Sequence, residues 1–190
     1  MVFKSAIVAA FLFFALPLAH AADTYKLDPV HSFVIFKIKH FNTSNTYGRL
    51  NAPTGTVVVD EADPTKSTVE VEVKSDNVDT NEPKRDQHLK KADFFDAVQF
   101  PVITFKSKSV AKGKDEGSVD IDGEMTLHGV TKPVKVTFTK TGASSDPKMG
   151  TRIGYEGTFT IKRSDYGMNF MVGPVGDDVQ LTVAIEAAKQ

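Results

Sequence analysis

The sequence predicts an all-β fold of eight antiparallel strands, and three observations lead to that prediction. Eight segments alternate apolar and polar residues with a period of two, as expected of strands with one buried and one solvated face. The connections between them are rich in turn-forming residues. A single segment has the spacing of an amphipathic helix. Eight such strands in one small domain either stack as two sheets or close into a barrel.

The alternation places the strands in chain order. Val134, Val136 and Phe138, for example, lie on one face of a segment whose other face carries Lys135 and Thr137. The same pattern predicts strands over residues 31–40, 47–59, 68–75, 101–109, 118–128, 131–140, 151–163 and 178–187.

Turn-forming residues connect these strands at Glu61–Pro64, Lys112–Lys114, His128–Gly129 and Gly142–Pro147. Tight turns join antiparallel neighbours, because parallel neighbours need crossovers of about a dozen residues or more. The predicted topology is therefore a meander in which each strand pairs with the next.

The segment Asn81–Asp96 has helical periodicity. Asn81 suits an N-cap and Pro83 suits a first helical turn. One face of this helix would carry Arg85, His88, Leu89, Ala92 and Phe95. We expect the helix to lie across an open end of the barrel, where its basic residues could attract an anionic head group or a membrane surface.

A glycine-rich loop over residues 164–177 precedes the last strand. Loops of this length in compact domains are often functional. Because exposed large apolar side chains would be costly, we expect those of the loop to fold over an apolar opening; they are Tyr166, Met168, Phe170 and Met171.

Residues 1–21 have the features of a cleavable secretory signal peptide. Lys4 supplies the positive start, Ala6–Leu16 is an apolar run, and Ala19-His20-Ala21 has the small-residue pattern of a cleavage site. The run is shorter than the about 20 residues that a membrane-spanning helix needs. The sequence predicts an exported, soluble mature protein with one domain over residues 22–190.

The composition and the histidine positions exclude several functions. The formal net charge is −1 at pH 7, so no nucleic-acid partner is expected. The chain has no cysteine, which excludes disulfides and thiolate sites. His31, His40, His88 and His128 are not at metal-ligand spacing, and no nucleophile motif accompanies them. No metal, cofactor or catalytic residue is predicted, although a metal site assembled from distant segments stays open.

The apolar interior is the remaining candidate site. An eight-stranded barrel is wide enough either to be filled by its own side chains or to hold one slender ligand. The inward faces are rich in Val and Ile, and Gly123 and Gly157 fall at inward positions. Small lining residues favour an open channel, while a filled core remains the alternative.

A series of short motifs runs in order along the chain. They are Tyr25-x-Leu27-Asp28, His31-Ser-Phe-Val-Ile-Phe36 with His40, Gly48-Arg49, Asp79-Thr80-Asn81, Arg85-Asp86-x-His88-Leu89, Ala92-Asp93-Phe94-Phe95, Pro101-x-Ile103-Thr104-Phe105, Leu127-His128-Gly129-Val130-Thr131-Lys132-Pro133-Val134 and Arg163-x-Asp165-Tyr166-Gly167. In these motifs the chain resembles the YceI-like family over essentially all of residues 22–190.

The resemblance implies an eight-stranded, antiparallel, lipocalin-like β-barrel with one short α-helix across an end. It implies a periplasmic binding or carrier protein that is not an enzyme and often forms a homodimer. The ligand would be a long-chain apolar lipid inside the barrel: a polyisoprenoid, an isoprenoid quinone precursor or a fatty amide. Transient contact with a membrane surface is a further expectation. The alternatives are an enzyme for an apolar substrate, with His88 or His40 as acid–base group, and a filled-core, stress-related interaction protein.

The resemblance and the alternation select the same candidate residues for the ligand site. The barrel lining comprises Val34, Phe36, Ile38, Val71, Val73, Ile103, Phe105, Met125, Leu127, Val136, Phe138, Phe159 and Val183. The lid or mouth comprises His40, His88, Leu89, Phe95, Arg163, Tyr166 and Phe170. Among them, His40 and Arg163 are expected to orient a ligand head group.

Overall fold

The structure is a computed structural model that describes residues 22–190, so the predicted signal peptide lies outside the described residues. In the part described, no helix has the length and apolar character needed to cross a bilayer. The elements are β1 (Asp23–Leu27), β2 (Phe33–His40), β3 (Ser44–Leu50), β4 (Thr54–Val59), β5 (Thr68–Lys74), β6 (Val78–Asp79), α1 (Pro83–Leu89), β7 (Val102–Lys112), β8 (Ser118–Leu127), β9 (Val130–Asp146), β10 (Gly150–Lys162) and β11 (Val175–Lys189).

These segments close into a barrel of eight antiparallel strands. β1 and β2 lie end to end along β11, with Leu27 opposite Ala187 and Phe33 opposite Ala184. β4 and β3 lie end to end beside them, and β5 and β6 continue one another beside β4 and β3. These three interrupted strands and the five strands β7 to β11 complete the circle. The predicted all-β, eight-stranded antiparallel barrel is confirmed.

The prediction misses one strand in the first half of the chain and joins two others. The alternation does not predict β1, because only Tyr25 and Leu27 of this segment are buried. The predicted strand 47–59 is divided by residues 51–53. There Ala52 adopts a left-handed conformation with a φ of 55°, and Pro53 has no amide donor for a ladder hydrogen bond.

Two boundaries in the second half are also wrong. The predicted turn Gly142–Pro147 lies largely within β9, which continues to Asp146 and pairs there with Gly150. The side chains at this tip are exposed, so ladder hydrogen bonds rather than burial hold it together. β11 begins at Val175, with an irregular register before Val179. Alternation of apolar and polar residues reflects burial of one strand face. It therefore does not reveal the exposed tip of β9 or the irregular start of β11.

The connections fall alternately at the two ends of the barrel, as an antiparallel meander requires. The upper end carries the β2–β3 turn, residues 80–101 with α1, the β8–β9 turn and the loop of residues 163–174. The lower end carries residues 60–67, residues 113–117 and the β9–β10 turn.

The helix α1 lies at the upper end, and the predicted N-cap is wrong. Glu82 is the N-cap, and its carboxylate accepts a hydrogen bond from the Lys84 amide at 2.9 Å. Asn81 precedes it with a left-handed φ of 61°. A second anchor fastens the helix to the residue that follows β6, because Asp86 accepts hydrogen bonds from both the amide and the hydroxyl of Thr80.

The helix ends at Leu89, well before the predicted Asp96. Ala92 is consequently exposed instead of lying on the apolar face. Adjacent residues on a helix point about 100° apart, so Phe94 and Phe95 could not both face the barrel from a continuing helix. The turn after Leu89 lets both rings line the interior.

Two clusters of buried apolar side chains occupy the two halves of the barrel. The upper cluster includes Phe36 and the lower cluster includes Phe138. Phe105, Phe159 and Val183 pack against both clusters. The apolar interior is therefore continuous along the barrel.

An ion-pair network holds the break between β1 and β2 against the barrel wall. Arg152 Nη1 lies 2.7 Å from Asp28 Oδ2 and 2.5 Å from Glu186 Oε1, and His31 Nδ1 lies 3.0 Å from Asp28 Oδ2. Hydrogen bonds from Arg152 and then His31 hold the pKa of Asp28 well below its usual range. The Asp28 carboxylate in turn raises the pKa of His31.

The substitution Asp28→Asn is expected to remove a pH-dependent part of the free energy of unfolding. A carboxylate with a depressed folded pKa stabilises the fold above its unfolded pKa, and that stabilisation disappears as the pH falls through the folded value. A histidine with a raised folded pKa stabilises below its unfolded pKa, and that stabilisation disappears as the pH rises through the folded value. Denaturant unfolding should therefore show the largest wild-type advantage between about pH 5 and 6.

Asp122→Asn is the matched control, because Asp122 pairs with Lys135 on the exposed outer surface. Exposed pairs contribute little to stability, so this variant should follow the wild type at every pH. A wild-type advantage over Asp28→Asn that stays constant from about pH 3 to 8 would contradict the proposed linkage.

Candidate functional site

A continuous cavity runs through the barrel between its two ends. Its volume is ≈ 810 Å³, within the range of about 300–1,000 Å³ that is usual for small-molecule sites. Inward-facing side chains of both core clusters form the wall. An elongated apolar molecule could lie along the barrel axis.

The structure places every predicted lining residue on the wall of this cavity. These side chains come from β2, β5, β7, β8, β9, β10 and β11. In chain order they are Val34, Phe36, Ile38, Val71, Val73, Ile103, Phe105, Met125, Leu127, Val136, Phe138, Phe159 and Val183. The lid or mouth residues His40, His88, Leu89, Phe95, Arg163 and Phe170 also reach the cavity, whereas Tyr166 does not.

An aromatic cluster covers the upper end of the cavity. His88 from α1, Phe94 from the following turn and Phe170 from the loop 163–174 meet edge to face, with ring centroids 5.2–5.7 Å apart. His88 Nε2 also lies 2.9 Å from Asp93 Oδ2. Edge-to-face packing of three rings joins the helix to the loop at the upper end of the cavity, which all three residues line.

Arg163 holds the upper loop in place. We predicted that it contacts a ligand head group, but its hydrogen bonds go to the backbone of the protein itself. The side chain is buried. Its guanidinium donates hydrogen bonds at 2.8–3.0 Å to the backbone carbonyls of Met168, Phe170, Val175 and Gly176. Burial lowers the pKa of Arg163. Four of the five guanidinium donors are thus engaged in shaping the loop.

Tyr166 is a core residue and not a lid residue, which corrects the prediction. Its ring is buried in the upper cluster, and its carbonyl lies 3.1 Å from His128 Nδ1. The chain turns sharply after it at Gly167, where φ is 80°. The ring therefore packs between the loop and the barrel wall, outside the cavity.

Glycines next to phenylalanines shape the cavity wall. A Cβ atom at Gly48 would lie 2.2 Å from Phe36 Cζ, and one at Gly123 would lie 2.4 Å from Phe105 Cζ. A Cβ atom at Gly157 would lie 3.0 Å from the ring of Phe138. Gly123 and Gly157 were expected to leave a channel directly. Instead, each glycine provides the space in which a phenylalanine ring lies against the next strand, and this keeps the rings out of the centre.

Polar side chains lie at the lower end of the cavity, and the predicted site does not include them. Lys140 Nζ lies 3.0 Å from Glu61 Oε1, and this hydrogen bond raises the pKa of Lys140. Burial raises the pKa of the neighbouring Tyr155 hydroxyl. The sequence alone could have indicated these residues. Lys140 is two residues after the inward-facing Phe138, and Tyr155 is four residues before the inward-facing Phe159, so the alternation assigns both to the inner face. A polar side chain at the end of an inward-facing row can keep its head near water.

Within residues 22–190, the ionisable cluster with metal-ligand spacing lies away from the cavity. Asp28, His31 and Glu186 offer ligand atoms within 4.8 Å of one another, but Arg152 supplies the positive charge between the two carboxylates. None of these four residues lines the cavity. Among residues 22–190, no histidine is hydrogen-bonded to a serine or threonine hydroxyl, which is the pairing that a nucleophilic site uses.

Comparison with known proteins gives the chain a family. Residues 25–187 match the YceI-like domain. The chain is 40% identical over 183 residues to Protein YceI of Escherichia coli O157:H7, which covers 95% of this chain and 94% of that protein.

Two solved structures share the fold at lower sequence identity. BcnA of Burkholderia cenocepacia superposes with a TM-score of 0.77 at 20% identity, over 85% of this chain and 99% of that one. A polyisoprenoid binding domain from Saccharophagus degradans, implicated in plant cell wall breakdown, superposes with a TM-score of 0.67 at 16% identity, over 87% of this chain and 98% of that one.

The substitution Gly48→Ala is expected to destabilise the protein through Phe36. The new methyl group occupies the position of the ring, and overpacking of this kind costs about 1–3 kcal/mol. Leucine has no atom at the Cζ position, so the cost of Gly48→Ala should be smaller in a Phe36→Leu background. A double-mutant cycle by denaturant unfolding measures the difference.

Gly142→Ala is the control, since a Cβ atom there would meet nothing within 4 Å. Its free energy of unfolding should stay close to that of the wild type. Equal costs of Gly48→Ala in both backgrounds would show that the glycine does not make room for the ring.

Proposed function

The chain belongs to the YceI-like family, and on that premise we propose that it binds and carries a long-chain apolar lipid inside its barrel. The continuous apolar cavity of ≈ 810 Å³ carries this proposal. It also argues against a core filled by its own side chains, since such a core leaves few voids larger than a water molecule. The Saccharophagus degradans domain, which is a polyisoprenoid binding domain, supports the same class of ligand.

The driving force is the removal of hydrocarbon from water. Each methylene buried contributes about 0.8 kcal/mol, so about eight carbons contribute roughly 6 kcal/mol before the entropic cost of binding. The candidate ligands are a polyisoprenoid, an isoprenoid quinone precursor and a fatty amide. Their polar ends could lie at the upper end near His40 or at the lower end near Lys140 and Tyr155, which line the cavity.

The setting of this activity belongs to the same proposal. We place the mature protein in the periplasm after removal of residues 1–21, where it takes lipid up during transient contact with a membrane surface. Homodimer formation is expected from the family resemblance. Catalysis is not part of the proposal.

The direct test is mass spectrometry of an organic extract of the protein, purified without detergent from its native host. One dominant long-chain apolar species in near-stoichiometric amount is expected. The same species should be recovered at unchanged mass after prolonged incubation, because a carrier does not convert its ligand. Trace amounts of mixed membrane lipids would refute the carrier function, and a change in mass would favour the enzyme alternative.

The substitution Val136→Phe tests whether the ligand lies in the cavity. Val136 is buried on the cavity wall near the middle of β9, and the larger ring takes up space that the ligand would use. We expect at least about tenfold weaker binding, with a cost in stability of about 1–3 kcal/mol. Titration with a fluorescent lipid measures the affinity, and circular dichroism verifies the fold.

Thr139→Phe is the matched control, because it adds the same ring to the exposed face of the same strand. It should bind lipid like the wild type. A folded Val136→Phe variant with unchanged lipid affinity would place the ligand elsewhere.

A further inference from the structure

The upper end of the barrel exposes a group of large apolar side chains. The mouth rim, defined as Phe41, Phe170, Met171 and Val172, has exposed fractions of 54%, 39%, 40% and 42%. The two loops that carry it are connected, since the Phe41 amide donates a hydrogen bond to the Pro174 carbonyl at 2.6 Å. The mouth rim is therefore one surface beside the opening of the cavity.

The loops that carry the mouth rim contain no lysine, arginine, aspartate or glutamate. This holds for residues 40–48 and for residues 166–176, although a quarter of the chain is charged, at 25%. Loops that stay in water have no need to avoid charge. A surface that enters the interfacial layer of a bilayer does, because an unpaired charge is costly in an apolar medium.

The backbone holds two of these side chains outward at some cost. Phe41 and Met171 have φ values of 47° and 52°, in the left-handed region that bulky residues rarely adopt. Such conformations persist only where the surroundings enforce them. Arg163 supplies that support for Met171 through its hydrogen bonds to the carbonyls of the loop. Phe41 is held by the β2–β3 turn, which the hydrogen bond from the Thr43 amide to the His40 carbonyl closes at 3.0 Å. The outward position of the rim is thus built into the fold.

Lysines lie on the helix segment that contacts the mouth rim through His88 and Phe170. Lys84, Lys90 and Lys91, on and just after α1, form no ion pair with a described residue. The same segment carries four carboxylates, of which Glu82, Asp86 and Asp93 form hydrogen bonds within the segment or to Thr80. Lysine side chains without an ion pair, beside an uncharged apolar rim, can reach the head groups of anionic lipids.

We propose that the mouth rim docks the upper end of the barrel on an anionic membrane surface by inserting its side chains among the lipid head groups. Where the proposed lipid binding holds, on which this part of the inference rests, lipid then passes between bilayer and cavity without crossing water. The mouth rim shares Phe170 with the aromatic cluster of His88, Phe94 and Phe170, so insertion of the rim could separate these rings and open the cavity towards the membrane.

Single-tryptophan variants test the docking, because the chain contains no tryptophan. Phe41→Trp and Val172→Trp place the probe on the mouth rim. Met149→Trp is the matched control, since Met149 is equally exposed at 56% but lies at the lower end. The probes are vesicles of phosphatidylcholine with phosphatidylglycerol, prepared with and without brominated acyl chains for quenching, and vesicles of phosphatidylcholine alone.

On the anionic vesicles, emission from both rim probes should shift to the blue and be quenched by brominated lipid, while emission from the control stays unchanged. Added salt should weaken the effect, as expected for attraction to anionic lipid. Val172→Asp should lower the affinity for vesicles at least about tenfold, by placing a charge in the interface. Its equilibrium affinity for a fluorescent lipid, titrated without vesicles, should not change, because Val172 does not line the cavity.

Rim emission that is unchanged by vesicles, or that changes no more than that of the control, would overturn the docking. A blue shift that depends on protein concentration without vesicles would assign the rim to a second copy of the chain and would also overturn it. These results differ from a failure of the proposed function, which would show as absent lipid in the extract whatever the vesicles do.

Discussion

The pairing of β1 with β11 closes the sheet, and the cavity depends on that closure. A closed barrel has no free edge, and its strands turn alternate side chains towards a common axis. The ion-pair network of Asp28, Arg152 and Glu186 supports this seam at the break between β1 and β2. Because closure directs the inward rows at one another, the size of the residues in those rows decides whether the interior is filled or open.

The interior stays open because its largest side chains lie along the wall. Phe36, Phe105 and Phe138 each occupy space left by a glycine. The apolar surface is thereby kept without crossing the axis, and the cavity connects both core clusters. Packing of this kind makes the wall rigid, since a ring confined between neighbouring strands has few alternative positions. Conformational change is therefore expected at the ends of the barrel rather than in its wall.

The two ends differ in chemistry, and this difference gives the barrel a direction. The upper end carries the aromatic cluster and the apolar mouth rim, whereas the lower end carries Lys140, Glu61 and Tyr155 on the cavity wall. Aromatic rings that meet edge to face can separate without breaking an ion pair. Such an arrangement suits an entrance for hydrocarbon, while the polar lower end suits the limit of the apolar space.

Alternation by itself determined the inward rows, because burial of one strand face leaves a direct trace in residue type. It determined the lining residues from Val34 to Val183, and it assigns Tyr155 to the inner face of its strand. Only the tertiary structure decided the role of Arg163, whose partners are backbone carbonyls that no side-chain pattern reveals. It likewise decided that Tyr166 packs outside the cavity and that α1 ends at Leu89. These features depend on contacts between segments distant in the chain, and local periodicity carries no information about such contacts.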